Sequence, residues 1–161
     1  MNTLFPTNPD EATERLVNCI TITGSRDIDP EKLKTLYEPA LSPFLAKQSH
    51  WLVGGAIGVD HLVAEWLMSR SEKVTGVVPF TRADQPKTVH ATLDRLTGGC
   101  VELCLNKSKP ALLKRAYLDR NEYMVDRSRV VIAFWNGEKG GTWQTIQYAL
   151  KSHRETHVYP V

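Results

Sequence analysis

Three short turns of this chain carry residue types that bind phosphate groups. They read GSR at positions 24–26, GGAIGVD at 54–60 and GEKGGT at 137–142. Each turn follows a short apolar run, and the last two open a helix-like pattern. A glycine turn between a strand and a helix points unpaired backbone N–H groups at an anion. Together the turns predict a pocket for a phosphate-bearing ligand, without indicating whether that ligand is cleaved.

Polar side chains beside the turns add to such a pocket. Arg26 offers a planar, forked guanidinium that suits phosphate, and the alternative is an ion pair with the acidic residues after it. Asp60 falls in a first helical turn, where it either accepts from a ribose hydroxyl or braces the loop. Thr142 is predicted as a helix N-cap whose hydroxyl also reaches a phosphate oxygen. Trp143 either stacks on a base or covers an apolar patch.

The sequence contains no pattern typical of catalysis or metal binding. The five histidines lack metal-ligand spacing, no serine stands in a nucleophile-elbow context, and the glycine turns lack the lysine–serine ending of an NTPase loop. We therefore expect no metal, no cofactor and no assignable catalytic residue. Whether the protein is an enzyme stays open.

Composition favours one globular domain in the cytoplasm. The 161 residues suffice for a substantial core, and 42% hydrophobic and 24% charged residues are ordinary values. A net charge of +2 does not by itself indicate a nucleic-acid binder. Three cysteines, an odd number, favour reduced, buried thiols. No apolar run approaches the ~20 residues of a membrane span, and residues 1–16 read as a polar arm without signal-peptide features.

Strand-like and helix-like segments alternate over the rest of the chain. The predicted strands are 19–23, 50–53, 73–80, 100–105, 129–135 and 156–160, and the predicted helices are 30–47, 58–70, part of 82–97, 110–127 and 142–153. This alternation predicts an α/β domain over residues 17–161, in which helices flank a mostly parallel sheet in three layers. In such folds the strand carboxyl ends share one edge, and ligands bind there where the strand order reverses.

The motifs together resemble the SLOG superfamily of Rossmann-like domains. This superfamily joins the DNA-processing protein DprA (Smf), the LOG phosphoribohydrolases and the YspA-like proteins. The resemblance covers nearly the whole chain and rests on the order and spacing of ITGSRD at 22–27, VGGAIGVDHLVAEW at 53–66, RNEYMVDRSRVVIAFWNG at 120–137 and GGTWQTIQYA at 140–149.

Each branch of the superfamily implies a different use of the pocket. The YspA-like branch, which is most similar at residues 54–66, implies binding or sensing of a nucleotide-derived, phosphorylated ligand. The DprA branch implies binding of single-stranded DNA, although the basic segment 107–129 is modest for that task. The LOG branch implies hydrolysis of a nucleoside monophosphate, but Gln144 and Gln147 stand where that family supplies a glutamate.

We adopt binding of a nucleotide-like phosphorylated ligand as the main hypothesis, with single-stranded DNA binding and LOG-like hydrolysis as alternatives. By analogy with related domains, the resemblance also raises a homodimer. The predicted ligand-binding residues are Gly24, Ser25, Arg26, Gly54, Gly55, Ala56, Asp60, Arg120, Asn121, Gly140, Gly141 and Thr142.

Overall fold

The computed structural model describes residues 19–45 and 47–161. The predicted arm 1–16 and the first two residues of the predicted domain lie outside this range. The strands are β1 (Cys19–Gly24), β2 (His50–Val53), β3 (Lys73–Val78), β4 (Cys100–Glu102), β5 (Val130–Trp135) and β6 (Glu155–Pro160). The helices are α1 (Pro30–Leu41), α2 (Val59–Ser69), α3 (Lys87–Arg95), α4 (Pro110–Asp126) and α5 (Gly141–Lys151).

The six strands form one parallel sheet in the order β4-β3-β2-β1-β5-β6. The chain builds outward from β1 to β4 and then returns to place β5 on the other side of β1. The strand order therefore reverses between β1 and β5, and a crevice opens at their carboxyl ends. This arrangement confirms the predicted Rossmann-like fold class.

Helices cover both faces of the sheet. Leu33, Val63 and Leu93, from α1, α2 and α3, belong to one core cluster that includes Ile132 and Phe134 of β5. On the other face, Met124 of α4 packs with Leu52 and Val77, and Ala149 of α5 packs with Val125 and Val131. Successive residues of β5 thus serve opposite faces, as the pleat of a strand requires. A sheet covered on both faces needs apolar residues at nearly every position, which explains the continuous run VVIAF.

The two largest departures from the predicted element boundaries are the end of α1 and the end of β4. Helix α1 ends at Leu41, not near Lys47, because the next residues form a short 3-10 turn, Ser42–Phe44, that contains Pro43. Strand β4 ends at Glu102, so Cys104 lies beyond it with a positive φ of 51°. All three cysteines are free, but Cys104 is exposed, which is contrary to the buried thiols that the cysteine count favours.

Within the described residues, none of the helices is both long enough and apolar enough to cross a membrane.

Candidate functional site

A cleft of about 780 Å³ occupies the crevice at the carboxyl ends of β1 and β5. Its walls are the turns after these two strands, the amino end of α5 and one side of α4. The cleft brings together ten of the predicted ligand-binding residues, namely Gly24, Ser25, Arg26, Ala56, Asp60, Arg120, Asn121, Gly140, Gly141 and Thr142. Gly54 and Gly55 do not line it and are buried behind Ala56.

The turn between β5 and α5, residues 136–140, leaves the amino end of α5 open to this cleft. Gly140 is the N-cap residue and provides no side-chain cap, and the first intrahelical N–H to donate back to it is that of Gln144. The N–H groups of Gly141, Thr142 and Trp143 precede that bond and project from the helix end. Thr142 is therefore a residue of the first turn, and its prediction as the N-cap is wrong. The exposed amides and the helix dipole favour an anion here.

Two tryptophans clamp this open turn. Trp135 ends β5 and Trp143 begins α5, and their rings stack with centroids 5.0 Å apart and planes inclined by 22°. The Trp135 indole N–H donates to the carbonyl oxygen of Glu138 at 2.7 Å. The N–H of Asn136 donates to Ser25 Oγ at 3.2 Å, which ties the turn to the end of β1. The amides of α5 are thus held in a defined position beside residues 24–26, the turn that follows β1.

The turn between β2 and α2, residues 54–58, satisfies its own polar groups instead. The N–H of Ala56 donates to the Asp60 carboxylate at 3.3 Å, and the N–H of Gly54 also donates to that carboxylate. Gln85 Nε2 donates to the Gly55 carbonyl at 2.8 Å. Asp60 therefore braces the loop, which is one of the two roles predicted for it.

Arg120 is a buried strut at the cleft floor. Only 4% of this residue is exposed, and its guanidinium donates to the carbonyl oxygens of Gly54 and Val77 and to Asn121 Oδ1 at 2.8 Å. Burial lowers the pKa of the Arg120 guanidinium, while nearby Asp60 acts in the opposite direction. Burial likewise raises the pKa of Asp60, against the influence of Arg120. The bonds from Arg120 to the carbonyl oxygens link α4 to the ends of β2 and β3.

The bond from Arg120 fixes which way the Asn121 amide faces. A guanidinium can only donate, so the atom facing Arg120 Nε must be the amide oxygen and Nδ2 must lie on the other side. Within the described residues Nδ2 has no hydrogen-bond partner, and it lies 4.0 Å from the place where a Cβ on Gly141 would stand. Asn121 is only 9% exposed. Its free donor therefore lies beside the amino end of α5 and adds to the anion-binding groups there.

Arg26 and Tyr117 form the opposite wall of the cleft. The Arg26 guanidinium lies 5.4 Å from the Tyr117 ring centroid, and the Arg120 guanidinium lies 5.6 Å from the same centroid. Arg26 is exposed and is therefore available to a ligand, whereas Arg120 is buried and its Nε and Nη1 already donate to oxygen atoms of the protein. Contact with the ring restrains the Arg26 side chain over the cleft.

The LOG-like alternative calls for a glutamate of early α5 in this cleft. Gln144 lines the cleft at that place. Glu65, which pairs with Arg95, and Glu122, which pairs with Arg115, do not line it. The acidic residues that do line the cleft are Asp27, Asp60 and Glu138.

Several cleft residues were not predicted from the sequence. Lys114 and Tyr117 line the cleft with Asn121, and their spacing of three, four and seven residues places them on one side of α4. Helical spacing from Asn121, itself a predicted site residue, was therefore the signal that could have indicated them. Trp135 and Lys139 flank the third glycine turn, and their proximity to it was the available signal.

Comparisons with known proteins agree with this fold. A family model described as DNA recombination-mediator protein A matches residues 8–161, which confirms the resemblance to DprA-like domains of the SLOG superfamily. The uncharacterized SPbeta prophage-derived protein YoqJ of Bacillus subtilis (strain 168) is 25% identical over 142 residues, covering 76% of this chain and 82% of YoqJ.

Two solved structures share the fold. DNA processing protein A from Helicobacter pylori, described for its single-stranded DNA binding mode, superposes with a TM-score of 0.70 at 22% identity, covering 98% of this chain and 70% of that one. DprA from Streptococcus pneumoniae gives a TM-score of 0.72 at 18% identity, covering 96% of this chain and 53% of that one. The present chain thus spans about half of the pneumococcal protein.

Proposed function

The chain belongs to the DNA recombination-mediator protein A family, and we propose that it binds single-stranded DNA in the cleft between β1, β5, α4 and α5. A backbone phosphate sits at the amino end of α5. The observation that carries this proposal is the convergence of the unpaired α5 amides with Asn121 Nδ2 in one place. The similarity in fold to a protein described as binding single-stranded DNA supports it.

The remaining cleft groups suit the other parts of a nucleotide strand. Arg26, Lys114 and Lys139 supply positive charge for further phosphates. Trp143 supplies a ring on which a base stacks without regard to sequence. Basic and acidic side chains are nearly balanced along the cleft, so we expect moderate affinity and a short binding site.

Asn121→Asp is the decisive variant. The new carboxylate keeps an acceptor for Arg120, so the fold should persist, but it places a negative charge against the α5 amides. We expect affinity for a fluorescent 12-nucleotide thymidine oligomer to fall about 30-fold, which corresponds to about 2 kcal/mol. Fluorescence anisotropy in a salt series measures this change, and log K should fall with log salt in proportion to the phosphates neutralised.

A pair of arginine variants provides the matched control. Arg26→Ala removes the exposed guanidinium of the cleft, whereas Arg70→Ala removes one that stacks on Trp66 at the far end of α2. We expect a clear loss of affinity in Arg26→Ala and wild-type binding in Arg70→Ala. Equal losses in both variants, or full binding by Asn121→Asp, contradict a site in this cleft.

A free phosphorylated nucleotide is the second candidate ligand. The volume of the cleft favours it, because about 780 Å³ lies within the range of small-ligand pockets. A nucleotide that binds should raise the thermal midpoint, with a stabilisation of about 2.7 kcal/mol when its concentration is 100 times Kd. Displacement of the labelled oligomer by a nucleoside monophosphate at micromolar concentration would favour this candidate. Displacement by unlabelled oligomer alone favours DNA.

The homodimer and the cytoplasmic location stay predictions. Sedimentation velocity across a concentration series would test the dimer.

A further inference from the structure

A second groove of about 420 Å³ runs between α4 and α5. It shares three residues with the main cleft, Leu118, Asn121 and Gln144, so the two spaces adjoin at the amino end of α5. From Gln144 the groove follows α5 to Lys151, a rise of about 10 Å along the helix. A ligand whose phosphate occupies the end of α5 therefore has a continuous path into this groove.

The groove combines partly buried side chains with unused amides. Leu118, which is half-buried, and Thr145, which is buried, both line it. Gln144 and Gln147 are exposed, and their side chains make no hydrogen bond within the part of the chain that the structure describes. Two other polar groups of the groove are engaged, since Glu122 pairs with Arg115 and the Tyr148 hydroxyl donates to Asp126 at 2.7 Å. The glutamine amides therefore join Asn121 Nδ2 and Lys151 as the groups that can recognise a ligand.

We propose that this groove is a nucleobase subsite, occupied by the base of the nucleotide whose phosphate lies at the amino end of α5. The proposal rests on the proposed function, because it needs that phosphate to be bound. Each glutamine amide carries both a donor and an acceptor, and it can pair with the polar edge of a base. Leu118 offers apolar contact to the face of the base.

A second phosphate fits the groove less well than a base. The Glu122 carboxylate lies in the groove, and a phosphate there would be repelled by it. Lys151 stands at the far end, where it can meet the next phosphate of a strand. A base between two phosphates agrees with this distribution of charge.

The test compares a 12-nucleotide thymidine oligomer with an abasic oligomer of the same length and phosphate number. Wild-type protein should bind the thymidine oligomer at least fivefold more tightly. Gln147→Ala should lower affinity for the thymidine oligomer about fivefold, the loss expected when the hydrogen bonds of one amide are removed, and should leave abasic binding unchanged. Gln147 lines the groove but not the main cleft, and alanine preserves helix propensity.

Leu150→Ala is the matched control, because Leu150 is 53% exposed on the same helix and lies outside the groove. It should retain the wild-type preference for bases. The subsite is refuted if Gln147→Ala keeps the full preference, or if it weakens abasic binding equally. Salt-dependent abasic binding that Asn121→Asp abolishes would show that the phosphate site stands even when the base subsite fails. Absence of binding to either oligomer overturns both proposals.

Discussion

The two glycine turns that flank the cleft are alike in sequence and opposite in chemistry. Residues 54–58 follow β2 and residues 136–140 follow β5, and each leads into an eleven-residue helix. In the first turn, polar groups are bound by Asp60, Arg120 and Gln85. In the second, the amides that open α5 have no hydrogen-bond partner among the residues that the structure describes. We therefore expect the second turn, and not the first, to receive an anion.

The second helical residue accounts for much of this difference. Asp60 holds that position in α2, and its carboxylate reaches back to the turn as a bound anion would. Thr142 holds the same position in α5, and its neutral side chain leaves the amides free. A glycine turn followed by an acid in the first helical turn is therefore a weaker sign of a phosphate site than the glycines alone suggest.

Removal of Arg120 should give the largest effect on the closed turn. Arg120→Met fills similar space but leaves the Asp60 carboxylate buried without its counter-charge, and leaves the carbonyls of Gly54 and Val77 without their donor. We expect the free energy of unfolding to fall by about 3–5 kcal/mol, measured by urea denaturation. Arg115→Met is the control on the same helix, because Arg115 forms only exposed ion pairs and should cost less than about 1 kcal/mol. Similar losses in the two variants would mean that the strut has no special role.

Alanine substitutions of one glycine in each turn should separate the turns further. Gly58 has a φ of 80°, and a Cβ there would stand 2.5 Å from the carbonyl oxygen of Arg26. Gly58→Ala should therefore lower the free energy of unfolding by about 2–3 kcal/mol through backbone strain and the clash.

Gly140 has an extended φ of 177°, and a Cβ added there would meet nothing within 4 Å. Gly140→Ala should change stability by less than about 0.5 kcal/mol in the same denaturation assay. A costly Gly140→Ala would show that the open turn is more constrained than its geometry indicates.

The alternating pattern was enough to predict the parallel sheet and the edge at which the cleft lies. Buried parallel strands need apolar runs, and the helices that join them need amphipathic ones, so both signals are local. The glycine turns follow β2 and β5 directly, and Gly24 ends β1, so their convergence at one edge followed from the fold.

The hydrogen bonding of the turns could not be predicted in the same way. Whether the polar groups of the turn near Gly54 are free depends on Asp60, which is local and accepts from the amides, and on Arg120, which lies 66 residues away and donates to the Gly54 carbonyl. The resemblance to DprA-type domains at residues 120–137 placed Arg120 among the predicted ligand-binding residues. Only the packing of α4 against β2 and β3 shows that its Nε and Nη1 donors are already used.

The smallest expected effect concerns Asp60 and Asp84, two aspartates whose carboxylates accept hydrogen bonds from backbone N–H groups of a turn. Burial raises the pKa of Asp60 in the closed turn. Exposed Asp84 differs, because hydrogen bonds from Lys107 and from Thr81 lower its pKa to about 2. For Asp60 the folded state binds the proton more tightly than the unfolded state, so its contribution to stability declines as pH rises from about 3.9 through the folded pKa. For Asp84 the stabilisation is present above about pH 3.9 and is lost as pH falls towards 2.

Carboxyl carbon NMR should resolve the two titrations, and Lys107→Ala should raise the pKa of Asp84 alone. An Asp60 titration midpoint below about 3.9 would contradict this prediction. It would mean that Arg120 and the turn amides stabilise the charged carboxylate by more than burial destabilises it.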